Sequence, residues 1–183
     1  MDKKSEKHLQ NLDRKLQRLL TDLRRYSNAK LNEQPNETAW SALQIMQHLM
    51  RAEAGAIAYV QKKLSFNPDL PKANVLSGLR SSMLNIALSV PLKMKAPDGV
   101  SDEHLATNLT FWDVAKSWRQ QRKELEAYLR ELPEHLYQTD LYKHPMTGKM
   151  TLAGMLSFFN THVDRHTRQI YRTLKKVDAV AQV

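Results

Sequence analysis

The sequence predicts an all-α protein that folds as a helical bundle. Apolar residues recur every three or four positions in several long segments, which is the spacing of one face of a helix. Only five glycines and seven prolines occur among 183 residues, which disfavours a turn-rich β fold. No segment carries a clear alternation of apolar and polar residues. Helices of about 20 residues would each be roughly 30 Å long, which suits an elongated bundle.

The first predicted helix carries a stripe of leucines that ends in a tyrosine. The members of this stripe are Leu9, Leu12, Leu16, Leu19, Leu20, Leu23 and Tyr26. Pro35 lies in the breaker that follows, and Asn36 or Thr38 is able to cap the next helix. We expect the second helix to run from about residue 40 to residue 64.

Two more helices are predicted before the last one. The third, at about residues 72–89, is less regular, and the long connection that follows it, residues 91–108, holds two prolines and a glycine. Thr110 followed by Asp113 resembles a capping box, so the fourth helix should begin there. Its apolar residues continue until Pro133, which cannot lie inside a helix and therefore marks its end.

The last helix contains the first candidate for chemistry. A polar loop at residues 142–150 leads into a predicted helix at about residues 151–176, and this helix holds His162 and His166. Residues four apart lie one turn apart, at the edge of the apolar face, where two imidazoles can reach one metal ion. Neutral imidazole binds zinc, nickel, copper and iron. Val163 stands where a zinc protease would carry glutamate, so that class is disfavoured.

A metal site needs a third ligand, because a lone pair of histidines is more often a structural feature of a helix. His48 lies inside the second predicted helix, beside its apolar face. If this helix is a neighbour of the last one, His48 completes a three-histidine site with positions open for water or substrate. The other histidines, His8, His104, His135 and His144, lie at the chain start or in predicted loops, where we expect exposure to solvent.

Length and composition bound the remaining possibilities. A chain of this length is most simply one domain, residues 1–183, with a substantial core. It has no cysteine, which excludes disulfides, thiolate ligands and a cysteine nucleophile. The charged start lacks the apolar core of a signal peptide, and no apolar run is long enough to span a membrane. We therefore expect a cytoplasmic protein without a membrane partner; the sequence leaves a homodimer open.

The charge balance raises a second class of function. Twenty-eight lysines and arginines against 19 acidic residues give a formal net charge of +9, which makes an anionic partner plausible. The positive residues are scattered along the helices, and no nucleic-acid-binding motif is recognisable. A nucleic-acid-binding module is therefore the least favoured interpretation.

Two stretches carry a family resemblance. "WSALQIMQHL", residues 40–49, and "HPMTGKMTLAGMLSFFNTHVDRHTRQI", residues 144–170, together resemble the DinB/YfiT-like superfamily. The shared features are a tryptophan eight residues before the first histidine, an HP-x-x-G turn and the ending H-x-x-x-H-x-x-Q-I. The two stretches cover about 40 residues, and their order and separation fit the whole domain.

The resemblance implies a four-helix bundle, with an additional short helix or long connection, that binds a divalent metal through three histidines. Matched position by position, these are His48, His162 and His166, and zinc or nickel is the expected ion. Gln169 matches the family's glutamine, which would orient a histidine or fill the polar surroundings of the ligands. Trp40 and Gln44 precede His48 by two turns and one turn on its side of the helix, which makes them candidates for the mouth of a pocket, although a core or capping position is the more common role of a tryptophan like Trp40.

Members of the family with known activity use the metal to activate a low-molecular-weight thiol, such as bacillithiol or mycothiol, for S-transfer or isomerisation. The sequence thus predicts a metal-dependent enzyme that acts on a small molecule, with S-transfer first, hydrolysis second and the reacting group unknown. We expect no Asp or Glu to bind the metal; Glu53, five residues after His48, faces another way. The main alternative is a stress-related protein that keeps a metal for stability or sensing, without turnover.

Overall fold

Four long helices form the described part of the protein, which confirms the predicted all-α bundle. The computed structural model describes residues 1–66, 68–74, 83, 105–145 and 147–180. Its helices are α1 (Lys3–Leu23), the short α2 (Asn28–Asn32), α3 (Ala42–Ser65), α4 (Phe111–Glu131) and α5 (Leu152–Val180). The short α2 was not predicted from the sequence, and the additional short helix or long connection expected after the third predicted helix lies largely outside the described residues. No helix in these ranges is long and apolar enough to cross a membrane.

The predicted third helix at residues 72–89 lies almost entirely outside the described residues. Its first residues, 72–74, are described and are not helical. Lys72 instead forms an isolated antiparallel bridge with Thr139, and the backbone N–H of Ala73 donates a hydrogen bond to the carbonyl of Gln138. The expectation that a helix begins at about residue 72 is therefore wrong, because these residues satisfy their backbone groups against another segment.

The apolar stripes of the long helices meet in one core. Its fully buried members include Leu12, Leu16, Leu19 and Leu23 from α1, Leu43, Ile45, Met46 and Leu49 from α3, Trp118 and Leu129 from α4, and Phe159, Val163 and Ile170 from α5. Each fully buried Leu, Ile or Phe side chain contributes roughly 1.5–3 kcal/mol to folding. The stripe read from the sequence of the first helix is thus the face that packs.

The packing order of the helices brings α3 and α5 together. Helices α1 and α3 each pack against both α4 and α5. The contact between α3 and α5 is among the most extensive in the bundle. The three-histidine hypothesis requires this neighbourhood, because His48 lies on α3 and the other two histidines lie on α5.

The start of α3 differs in detail from the expectation. Its N-cap is Ser41, not Asn36 or Thr38: the Ser41 hydroxyl accepts a hydrogen bond from the Gln44 backbone, and the Gln44 side chain accepts one from the Ser41 backbone. This reciprocal capping box satisfies two amides that have no partner within the helix. Asn36 instead accepts hydrogen bonds from the backbone and hydroxyl of Thr38, within the preceding turn.

A small β-hairpin replaces the polar loop predicted at residues 142–150. Strands β1 (Tyr142–His144) and β2 (Gly148–Met150) pair antiparallel, with Tyr142 opposite Met150 and His144 opposite Gly148. Gly148 has a φ of +83°, a conformation that glycine adopts without a steric cost. Tyr142 and Met150 are buried, so the hairpin packs against the bundle. Strands this short carry too few residues for an alternating pattern to be visible.

Candidate metal centre

Three histidines meet at the interface of α3 and α5. His162 and His166 lie one helical turn apart on the side of α5 that packs against α3. His48 lies on the side of α3 that faces them. Nε2 of His48 lies 3.2 Å from Nε2 of His162, and one ring nitrogen from each of the three histidines lies within 4.8 Å of the others. His162 is buried, with 9% of its surface exposed, whereas His48 and His166 are partly exposed. The cluster therefore opens to the surface on one side.

These distances fit a single divalent ion. Nitrogen ligands about 2.1 Å from a tetrahedral ion are about 3.4 Å apart, close to the separation of the His48 and His162 nitrogens. No other group of three or more histidines or acidic residues in the described ranges has this geometry. Three imidazoles leave at least one coordination position for water or substrate.

Gln169 determines which nitrogen of His166 is available. Its Oε1 lies 2.8 Å from Nδ1 of His166. A carbonyl oxygen only accepts, so Nδ1 carries the proton and Nε2 keeps the lone pair for an ion. Of the two roles considered for Gln169, the geometry supports orientation of a histidine.

His162 and His166 are neutral imidazoles near neutral pH. Burial lowers the pKa of His162 well below its usual value, and the charges of His166, His48, His144 and Arg165 lower it further. Burial also lowers the pKa of His166 to about 3, assisted by His48 and Arg165 and opposed by the hydrogen bond with Gln169. Neutral imidazole is the form that binds metals.

Aromatic rings bound the cluster on two sides. The Trp40 ring lies 5.1 Å from the His48 ring, and the Phe158 ring stacks on His162 at 5.1 Å with an interplanar angle of 22°. These contacts restrict the rotation of two of the three imidazoles. Trp40 is half-buried beside His48 and also packs against the hydrophobic core.

The side chain of Gln44 forms hydrogen bonds at the start of α3 instead of lining a pocket. Its Oε1 accepts hydrogen bonds from the Ser41 backbone and from Nε2 of Gln34, both at 3.0 Å, and the residue is buried. The side chain therefore serves the cap of α3. The prediction that Gln44 lines a pocket rested on its helical spacing from His48, which does not reveal a competing capping partner.

One expectation about the remaining histidines is wrong. His144 is only 8% exposed, because β1 turns it toward the bundle, where its ring lies 4.6 Å from the Phe158 ring. Burial lowers its pKa to about 4. His8 is partly buried within α1, His135 is exposed as expected, and His104 lies outside the described residues. The HP-x-x-G turn was the only sequence signal that could have singled out His144.

The carboxylates close in sequence to the three histidines form ion pairs with other residues. Glu53 is buried and accepts hydrogen bonds from Arg122 at 2.6 and 2.7 Å and from the Trp118 indole at 3.1 Å. Asp164, which lies between the two histidines of α5, forms an ion pair with Lys15 of α1 at 2.6 Å. Within the described residues, the candidate centre therefore consists of imidazoles alone.

Comparisons with known proteins agree with the fold and with the family resemblance. A family model of the DinB superfamily matches residues 11–170. YuaE of Bacillus subtilis strain 168, described as an uncharacterized protein, is 22% identical over 157 residues, which cover 86% of this chain and 91% of YuaE. A solved structure of YfiT from Bacillus subtilis, described as "a probable metal-dependent hydrolase with an unusual four-helix bundle topology", matches with a TM-score of 0.58 and 16% identity, over 94% of this chain and 87% of YfiT. Because the family match spans most of the sequence, the chain belongs to the DinB superfamily.

Proposed function

We propose that the protein is a metal-dependent enzyme in which His48, His162 and His166 hold one divalent ion, zinc or nickel. The observation that carries this proposal is the convergence of three ring nitrogens, from two helices, within 4.8 Å of one another. Partial exposure of His48 and His166 leaves a side from which a small molecule can approach. The similarity to YfiT, with its description as a metal-dependent hydrolase, supports the same class of chemistry.

A divalent ion at this position would act as a Lewis acid that lowers the pKa of a bound nucleophile. The protein's own residues prepare the site for it. Gln169 holds His166 in the tautomer that offers Nε2, and Trp40 and Phe158 limit the rotation of His48 and His162. Burial of His162 excludes water from the inner side of the site, which strengthens electrostatic interactions there.

Hydrolysis is the first reaction to assay. No carboxylate joins the three histidines within the described residues, so activation of the nucleophile falls to the ion more than to a general base. S-transfer from a low-molecular-weight thiol is the second candidate, and the resemblance of the two histidine-containing stretches supports it. Both reactions need the same ligands, so one variant tests the common requirement.

The decisive variant is His162→Ala, with His135→Ala as its matched control. His135 is exposed in the short 3-10 helix Glu134–Gln138, outside the histidine cluster. We expect protein purified without a histidine tag to contain about one equivalent of metal, His162→Ala to lose it and the control to keep it. Hydrolysis of ester and amide substrates, and thiol transfer to an electrophile, should disappear with the metal.

Melting temperatures separate a catalytic ion from a structural one. The leucine-rich core supplies stability without a metal, so the variant should remain folded. Loss of turnover with little change in melting temperature supports the enzyme. Collapse of the fold on metal removal, with no turnover in the wild type, would favour a structural ion. Wild-type protein that binds neither zinc nor nickel would refute the proposal.

A further inference from the structure

Three lysines, Lys72, Lys143 and Lys149, line an open cavity beside the β-hairpin, the hairpin cavity. Lys143 of β1 and Lys149 of β2 are directly opposite each other in the antiparallel pair, and both are exposed. Like charges at directly opposite positions of such a pair destabilise it. An anion bound between the two ammonium groups would remove this repulsion.

The backbone on both sides of Lys72 is hydrogen-bonded to the segment that leads into β1. The N–H of Ala73 donates to the carbonyl of Gln138 at 2.8 Å. On the other side, the N–H of Asp140 donates to the carbonyl of Pro71 at 3.1 Å. These bonds hold the third lysine at the hairpin, so the lining of the cavity is in place before any ligand binds.

The hairpin cavity carries an excess of positive charge. Among the described residues that line it, the only carboxylate is that of Asp140, against the three ammonium groups. Asp140 is buried, whereas the three lysines are exposed. No ion pair between described residues involves Lys72, Lys143 or Lys149. Three positive charges against one negative charge favour a ligand with two or more negative charges.

A hydroxyl group beside these charges lacks a hydrogen-bond partner. Oγ1 of Thr147, which lines the cavity, is shielded from solvent and has no partner among the described residues. A buried polar group without a partner costs free energy, and such groups are rare in folded proteins. Gly148 also lines the cavity, and among the described residues a Cβ added there would meet no atom within 4 Å. The space beside the Thr147 hydroxyl is therefore open to a ligand that accepts a hydrogen bond.

The size and the lining of the cavity favour a small phosphorylated molecule. Its volume of about 500 Å³ lies within the range of roughly 300–1,000 Å³ that is typical of small-molecule sites. Lysine binds phosphate as a point charge, whereas recognition of a planar carboxylate favours the fork of arginine. No arginine is among the described residues that line the cavity. A nucleic acid would need a basic surface that extends beyond one cavity.

We propose that the hairpin cavity binds a small molecule that carries a phosphate or diphosphate group. The three ammonium groups balance the charge of this group, and the Thr147 hydroxyl donates a hydrogen bond to one of its oxygens. The site lies on the exposed face of the hairpin, whereas His144, the residue after Lys143, is buried on the opposite face. The proposal therefore stands independently of the metal centre.

The test measures pyrophosphate binding to the full-length protein by calorimetry, in about 150 mM salt, where charges more than about 8 Å apart are screened. Citrate, a carboxylate anion, and a DNA duplex of random sequence are the comparison ligands. One variant carries Lys143→Gln and Lys149→Gln together, and Thr147→Val removes the hydroxyl at nearly constant volume. The control variant carries Lys116→Gln and Lys123→Gln, which remove the same charge from exposed positions of α4.

The wild type is expected to bind pyrophosphate more tightly than citrate. The double variant of the hairpin should lose about tenfold or more in pyrophosphate affinity, because charge-assisted hydrogen bonds are lost. Thr147→Val should lose about two- to tenfold, the effect of one hydrogen bond. The control should stay within about twofold of the wild type, because salt screens charges outside the cavity. His162→Ala should keep full affinity, since it alters only the histidine cluster.

Melting temperatures show whether the hairpin variant is folded. Without a ligand it should be at least as stable as the wild type, because two opposed like charges have been removed. Pyrophosphate should raise the melting temperature of the wild type and of the control, but not that of the hairpin variant.

Four results would overturn the proposal. Wild-type protein that binds no pyrophosphate, or that binds citrate equally well, shows that the cavity does not select phosphate. An equal loss in the control assigns binding to the net charge of the protein. A loss in His162→Ala without a loss in the hairpin variant places the anion at the histidine cluster. Binding of the DNA duplex through Lys143 and Lys149, without binding of pyrophosphate, identifies a nucleic-acid surface instead.

Discussion

Replacement of Gln169 by leucine tests whether a single hydrogen bond prepares the metal centre. Oε1 of Gln169 lies 2.8 Å from Nδ1 of His166, and both side chains are partly buried. Leucine has a similar volume but accepts no hydrogen bond. In Gln169→Leu, His166 can rotate, and the tautomer with a proton on Nε2 competes with the one that binds a metal.

The expected magnitude follows from this contact. Loss of a hydrogen bond that orients a ligating histidine typically weakens metal affinity about 10- to 100-fold, which is about 1.4–2.8 kcal/mol. The metal-free protein should lose only about 1 kcal/mol of stability, since one partly buried N–H then turns to water. Gln169→Glu should bind metal as tightly as the wild type or more tightly, because a carboxylate is a stronger acceptor and makes the imidazole more basic.

The assay is competition for zinc against a chromogenic chelator near neutral pH, with urea denaturation of the metal-free proteins beside it. Gln17→Leu is the matched control, because Gln17 is an exposed glutamine of α1. Zinc affinity in Gln169→Leu within about twofold of the wild type would refute the role of this hydrogen bond. An equal loss in the control would assign the effect to the added leucine instead.

Further predictions concern stability. Glu53→Gln should destabilise the fold by about 3–5 kcal/mol in urea, because Arg122 would remain charged inside the α3–α4 interface; a loss below about 1 kcal/mol would contradict this. Ser41→Ala should cost about 1 kcal/mol, since it removes the N-cap of α3, and a change within error would show that the cap is replaced. In the folded protein the pKa values of His144 and His166 are lowered to about 4 and about 3. Burial of these two rings in neutral form therefore costs no stability above about pH 6.5, and the free energy of unfolding of the metal-free protein falls as the pH falls from there toward the folded-state values. At about pH 5 these two groups together remove at most about 4 kcal/mol, and a flat urea midpoint between about pH 7 and 5 would refute the burial of both as neutral rings.

The sequence alone determined the four long helices of the described residues and the pairing of two of the three candidate histidines. A helix buries one face, so the period of 3.6 residues appears in the spacing of the leucines from Leu9 to Leu23, and the bounds predicted for α3, α4 and α5 agree with the structure within a few residues. The same period places His162 and His166 one turn apart on one side of α5. These features depend on residues a few positions apart, which is why local patterns reveal them.

Sequence patterns did not predict which of several partners a side chain contacts. Helical spacing placed Gln44 on the same side of the helix as His48, but the side chain turns back to cap α3 at Ser41. The three-residue strands of the hairpin carry no readable alternation, so the burial of His144 was missed. The hydrogen bond of Gln44 and the burial of His144 both depend on distances to neighbouring groups in the folded protein, and the order of residues along the chain does not contain those distances.

The tertiary structure shows that the three histidines meet. His48 and His162 are 114 residues apart in the chain, and their nitrogens meet at 3.2 Å only because α3 packs against α5 rather than across the bundle from it. The apolar stripes of four helices are compatible with more than one packing order, since burial has no direction. The family resemblance anticipated the meeting of these histidines, whereas the contact of Gln169 with His166 and the pairing of Glu53 with Arg122 follow from side-chain packing, which helical periodicity does not encode.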